Sequence, residues 1–201
     1  MLVRAVRYTL SAARLATPLR MALPTPCADW DLEALLRHVG DSMDVLAAAL
    51  SAGFVGTGPA AGSRGLNPVA DLSQRATTLL CACAVAGSGE RRVAIGDREL
   101  TTSLVVMAGA VEIAVHGWDI SMACGAAEPI PSGLASDLLP IAVLLTPPGA
   151  RAGLFADPVH VSERACPGDL LVAFLGRHPG PDASGGGWRR PAPGAGPVVC
   201  D

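Results

Sequence analysis

The chain has 201 residues, a formal charge of −3 and half its residues hydrophobic, yet only three Phe, three Trp and one Tyr. That length fits one domain with an appendage, and the weak acidity gives no electrostatic case for nucleic acid or an anionic membrane surface, which leaves a small molecule as the expected partner. No run reaches the roughly 18 uninterrupted apolar residues of a membrane span. Six cysteines without a C-x-x-C pair or a regular framework argue against a zinc finger or disulfide scaffold, and a reduced, cytoplasmic setting fits them.

Ala and Leu supply much of the apolar content and favour helices. The first 28 residues carry Arg4, Arg7, Arg14 and Arg20 and no acid, superficially like a transit peptide. Leu2, Val6, Leu10 and Ala13 recur at helical spacing, however, so a first helix over about 2–16, ended by Pro18, explains them better. After the turn "LPTPCADWD", Asp31 should cap a second helix over about 32–50, with Glu33 in its first turn and a stripe of Leu32, Leu35, Leu36, Val39, Met43, Leu46 and Leu50. "SAGFVGTGPAAGSRGLNP" reads as a loop ending in Asn67 and Pro68, which should open a third helix to about Val85. "GSGERRVAIGDREL" reads as a loop or short hairpin turning at Gly96 and Asp97.

A fourth helix, capped by Thr101, Thr102 or Ser103, should run to about Cys124. Ser132 could cap a fifth helix to about Leu145, and Pro167 should start a last one, with Gly180 beyond its end. Residues 180–201 are too rich in Gly and Pro to pack and are expected to form a disordered tail. The expected fold is all-α: an antiparallel four-helix bundle over 1–125, a short helical C-terminal extension over 126–179 packed on it, and the tail.

The fourth helix raises a chemical question. Between Thr101 and Gly117 its only ionisable residues are Glu112 and His116, four apart on one face and set among Leu, Val, Ile and Met. A carboxylate buried there needs a cation, a metal or a proton. Glu and His suit zinc and related divalent metals if a facing helix supplies a third ligand. E-x-x-x-H alone is weak, and a hydrogen-bonded core pair satisfies the same pattern. The remaining histidines are His38, at the flank of the second helix's Leu stripe, and His160 and His178, which read as solvated.

Two segments carry a family resemblance. "TPCADWDLEALLRHVGD" resembles the T-P-C-x-x-W-x-x-x-x-L-x-x-H segment of the mycothiol-dependent maleylpyruvate isomerase family. "EIAVHGWDISMACG" resembles its fourth-helix signature, E-x-x-x-H-x-W-D-(hydrophobic)-x-x-A-x-G. "RAGLFADPV" and "PGDLLVAFLGRHP" are similar to the tail of an actinobacterial subgroup, so the likeness runs from about Pro24 to Pro179. That family belongs to the DinB-like metal-binding four-helix bundles.

The resemblance implies that His38, Glu112 and His116 form a two-histidine, one-glutamate site, with zinc the first choice of metal. Asp119 could orient the imidazole of His116 or simply end the helix. Trp30 and Trp118 read as packing residues. In relatives the metal activates a low-molecular-weight thiol, typically mycothiol, for isomerisation or S-transfer. The anion-binding residues of the founding isomerase find no match here, so maleylpyruvate is not the expected substrate; Arg64, Arg75, Arg92 and Arg151 could bind an anion but read as surface residues.

The leading functional expectation is therefore a thiol-activating isomerase or transferase acting on a small electrophile. Two alternatives stand beside it: a thiol-independent Lewis-acid metalloenzyme that tailors a specialised metabolite by cyclisation, elimination or hydrolysis, and a binding protein without turnover. A homodimer is one assembly such a bundle could form.

Overall fold

The computed structural model describes residues 1–27, 30–55, 65–87, 89–95, 98–147, 151, 155–162 and 164–179. The expected Gly96-Asp97 turn, Arg64, Gly180 and the tail from 180 lie outside them. The chain forms α1 (Leu2–Ala13), α2 (Leu32–Ala52), β1 (Phe54–Val55), α3 (Pro68–Ala86), β2 (Arg92–Ile95), β3 (Arg98–Thr101), α4 (Thr102–Ala123), α5 (Ser132–Leu145) and α6 (Pro167–Phe174).

Local chemistry sets most of the helix starts. Asp31 accepts from the Ala34 amide at the start of α2, Asn67 accepts from Val69 and Ala70 with Pro68 in the first turn of α3, and Thr101 accepts from Leu104 at the start of α4. Each side-chain oxygen satisfies amides that the first helical turn leaves unpaired. Ser132 makes no cap: Pro131 occupies that position and its side chain accepts nothing. α1 stops at Ala13, earlier than its apolar spacing suggested, and Pro18–Arg20 forms one separate 3₁₀ turn.

Helix α4 is apolar on nearly every side. By length and composition it could cross a membrane, the one such helix among the described residues. Here it is the central core helix: α1 and α2 pack on it, α5 joins from the C-terminal side, and α6 packs on α5. Ile113, Ala114, Val115, Trp118 and Ile120 are buried on it, in one core cluster with Leu35, Leu36, Val39 and Met43 of α2 and Ala5 and Val6 of α1. An all-round apolar helix is stable only when surrounded. Its glycines permit the close approach, since a side chain at Gly109 would collide with Leu46 and one at Gly117 with Thr9.

Two expectations about the fold need correction. The protein is mostly helical but not all-α, because β1, β2 and β3 form a small sheet in that order. β1 pairs parallel with β2 (Phe54 with Ala94), and β2 pairs antiparallel with β3 (Val93 with Leu100). Gly53, left-handed at φ 68°, ends α2 and turns the chain so that its carbonyl accepts from the Ala94 amide. Val93 and Val55 are buried beneath this sheet, which gives two short apolar segments a role that helical periodicity could not reveal.

Nor is the bundle antiparallel throughout. α2 runs against α4, since His38 and Ser42 face Glu112 while Leu46 faces Gly109. α2 and α3 instead advance together. Leu36 and Arg37 adjoin Pro68 and Asp71, Gly40 and Asp41 adjoin Arg75, and just beyond α3 the Arg91 guanidinium reaches the Leu50 carbonyl. The long connection over 53–67 makes that crossover possible, where a short loop would force the second helix to double back.

At the C-terminal end, Leu171, Val172 and Leu175 are buried. α6 closes earlier than expected, in a Schellman turn with Gly176 at φ 83°: the Gly176 amide donates to Ala173 and the Arg177 amide to Val172.

Candidate metal centre

His38 on α2 and Glu112 and His116 on α4 meet at the α2–α4 contact. One ligand-capable atom from each lies within 4.8 Å of the others. The i to i+4 spacing explains why Glu112 and His116 share a face, and the antiparallel α2–α4 register brings His38 opposite them. His38 Nε2 donates to Glu112 Oε1 at 2.9 Å, and the Ser42 hydroxyl donates to the same oxygen at 2.8 Å. Two ligand atoms each about 2.1 Å from a tetrahedral zinc stand about 3.4 Å apart. The His38–Glu112 spacing is close to that, so a cation and the shared proton compete for one place.

The environment is graded from open to closed. The side chains of His38 and Glu112 are 34% and 42% exposed, that of His116 is 11% exposed, and Asp119 is fully buried. Glu112 is therefore not the enclosed carboxylate its apolar neighbours implied: α2 covers its face of α4 only in part. The hydrogen bond from His38, with help from His116 and Ser42 and against the effect of burial, lowers its pKa to about 2. It is an ionised carboxylate at any physiological pH.

The acid that is fully enclosed is Asp119. A carboxylate only accepts, so His116 carries its proton on Nδ1 and donates it to Asp119 Oδ2 at 3.0 Å. That leaves the Nε2 lone pair as the atom available to a cation, the usual consequence of a carboxylate behind a ligating imidazole. Arg177 completes the arrangement, with Nη2 donating to Asp119 Oδ2 at 3.0 Å and Nε reaching Oδ1 at 3.4 Å. Burial alone would raise the Asp119 pKa, but the Arg177 charge and the His116 hydrogen bond outweigh it and hold the group below the usual carboxylate range.

A second trio, Cys27, His116 and Asp119, also lies within 4.8 Å. Both Asp119 oxygens are already engaged and wholly buried, so the open trio of His38, Glu112 and His116 is the more accessible of the two to a divalent cation. Two imidazoles and a carboxylate form a zinc-type donor set.

The other expected residues fall as follows. Trp118 is a packing residue, 3% exposed, but Trp30 is more than that. Its ring packs against that of His38, tilted by 58° with centroids 4.3 Å apart, and lies 6.1 Å from the ring of His116, so it borders the site. The Thr25 hydroxyl bonds the Cys27 and Trp30 carbonyls and accepts from the Cys27 amide, which ties down the backbone at Trp30. His160 and His178 are exposed and take no part. Arg75 is held by Asp41 and Asp44, Arg92 by Glu99, and Arg151 by the Ala156 and Phe174 carbonyls, so none of these three reaches the site.

Arg177 is the residue that sequence reasoning missed. Its one local signal is Gly176, a helix-ending glycine directly before an arginine, which sets the direction of that side chain but not its partner.

A family model described as the mycothiol maleylpyruvate isomerase N-terminal domain matches residues 2–121. No curated protein and no solved structure matches the chain.

Proposed function

Because the chain belongs to the mycothiol maleylpyruvate isomerase N-terminal domain family, we propose that it is a DinB-like, metal-dependent enzyme of the isomerase or S-transferase type that uses a low-molecular-weight thiol, mycothiol, against a small electrophile. His38, Glu112 and His116 hold a divalent cation, zinc by the character of the donors. The observation that carries this reading is the convergence of two imidazoles and an ionised carboxylate at a partly open site, with a buried carboxylate behind one imidazole. A closed structural site would bring four protein ligands, whereas three leave room for an exogenous one.

When bound, the cation supplies Lewis acidity and stabilises a coordinated thiol in its deprotonated form. The rest is work for side chains. Ser42 fixes one carboxylate oxygen of Glu112, Asp119 fixes the tautomer and plane of His116, and the Trp30 ring excludes water from one side of His38.

The test is cobalt substitution. In the cobalt-loaded protein, mycothiol should add a sulfur-to-metal charge-transfer band. An unchanged spectrum with mycothiol, together with a perturbation by a small carbonyl or hydroxyl compound, would replace the thiol reading with the Lewis-acid one.

A further inference from the structure

The buried charge behind His116 is balanced from outside the family-matched stretch. Asp119 lies near the end of residues 2–121, while Arg177 belongs to the segment after α6. One oxygen, Asp119 Oδ2, accepts from both His116 Nδ1 and Arg177 Nη2 at 3.0 Å. The guanidinium is itself fixed, because Nη1 donates to the Leu175 carbonyl at 3.0 Å and the Schellman turn at Gly176 sets its backbone. Its side chain is 11% exposed.

We propose that Arg177 is a positioning residue of the metal centre: it clamps Asp119, which in turn holds His116 with its proton on Nδ1 and Nε2 turned to the cation. This rests on the reading of His38, Glu112 and His116 as ligands. A carboxylate accepting from His116 alone can rotate about its Cβ–Cγ bond and swap oxygens. A second donor on the same oxygen, with Nε against the other, removes that freedom. Partners of this kind, one step behind a ligand, are typically worth ten- to a hundredfold in metal affinity. The segment around α6 is then part of the site and not an appendage to it.

The test compares Arg177→Met, Arg177→Lys, Asp119→Asn and the Asp119→Asn/Arg177→Met double variant. Zinc affinity is read by competition with a chromogenic chelator, and the His116 tautomer by nitrogen-detected NMR of the metal-free protein. Arg177→Met should lower zinc affinity about ten- to a hundredfold, Arg177→Lys should recover part of that, and the metal-free protein should shift from pure Nδ1–H towards a tautomer mixture. The double variant should bind no more weakly than Asp119→Asn alone, since Arg177 acts only through Asp119.

A folded Arg177→Met protein with wild-type affinity and an unchanged tautomer overturns the proposal. So does a double variant clearly weaker than Asp119→Asn, and this second comparison decides the matter if Arg177→Met fails to fold around an unbalanced Asp119. Wild-type protein that binds no zinc would instead sink the ligand assignment, while the tautomer measurement would still report whether Arg177 orders the pair.

Discussion

Replacing Gly117 with alanine should destabilise the protein, against the usual gain from filling a helical glycine. In a helix interior Gly to Ala is worth roughly 0.8–1.0 kcal/mol of stabilisation. At Gly117 the new Cβ would stand 3.0 Å from Thr9 Cα and 3.1 Å from Thr9 Cβ, and nearer still to the hydroxyl. Those atoms belong to the fully buried backbone and side chain of α1, so they cannot swing away as a surface side chain would. Overpacking of this kind costs about 1–3 kcal/mol. Displacing Thr9 also strains its 2.6 Å hydrogen bond to the Ile113 carbonyl, worth about 1 kcal/mol net. The costs exceed the propensity gain, leaving a net loss of about 1–3 kcal/mol.

Gly133 of α5 is the internal control. It is exposed, and the nearest atom to an added Cβ is Arg4 Nη1 at 3.9 Å, so Gly133→Ala should stabilise by up to about 1 kcal/mol. Urea unfolding reads both variants through the transition midpoint at unchanged slope. If Gly117→Ala were as stable as the wild type while Gly133→Ala gained as expected, the α1–α4 contact would be looser than described, and the placement of His116 beside it would lose its rigid support.

Further outcomes follow from the same geometry. Glu112 and Asp119 both have depressed pKa values, so their contribution to stability is present above the ordinary carboxylate range and is lost as pH falls through the folded values. In the metal-free protein Glu112→Gln should flatten the loss of stability between about pH 4.5 and 2, and an unaltered acid-unfolding curve would contradict the His38–Glu112 bond. Glu112→Gln and His116→Ala should each reduce metal content by elemental analysis, whereas Cys81→Ser and Cys83→Ser should not, because neither thiol belongs to a metal-capable group among the described residues. Removing residues 180–201, whose Gly and Pro content cannot offset ordering entropy, should leave the unfolding midpoint and metal binding intact; loss of either would make the tail part of the domain.

Helix starts and faces were legible in the sequence because they are encoded within a turn or two. Asp31 and Asn67 with Pro68 could be recognised as caps from their neighbours alone, the cap of α4 was narrowed to Thr101, Thr102 or Ser103, and the four-residue step from Glu112 to His116 placed both on one face before any partner was known. His38 was suggested by family resemblance, but its meeting with Glu112 depends on the register of α2 against α4, which the packing of Leu46 over Gly109 sets. The pairing of β2 with β3 was legible as a loop or short hairpin, whereas β1 escaped notice because it is only two residues long and gains its partner in β2 across a long connection. The parallel course of α2 and α3 has the same origin, since the length of a connection permits a crossover but does not dictate it. The exposure of Glu112 and the burial of Asp119 could not be ranked in advance: both stand among apolar neighbours in sequence, and only the helices packed around α4 decide which is covered. Arg177 is the extreme case. Its bond to Asp119 joins positions far apart in the chain, and no spacing rule connects them, because a buried carboxylate selects a cation by its place in the folded core.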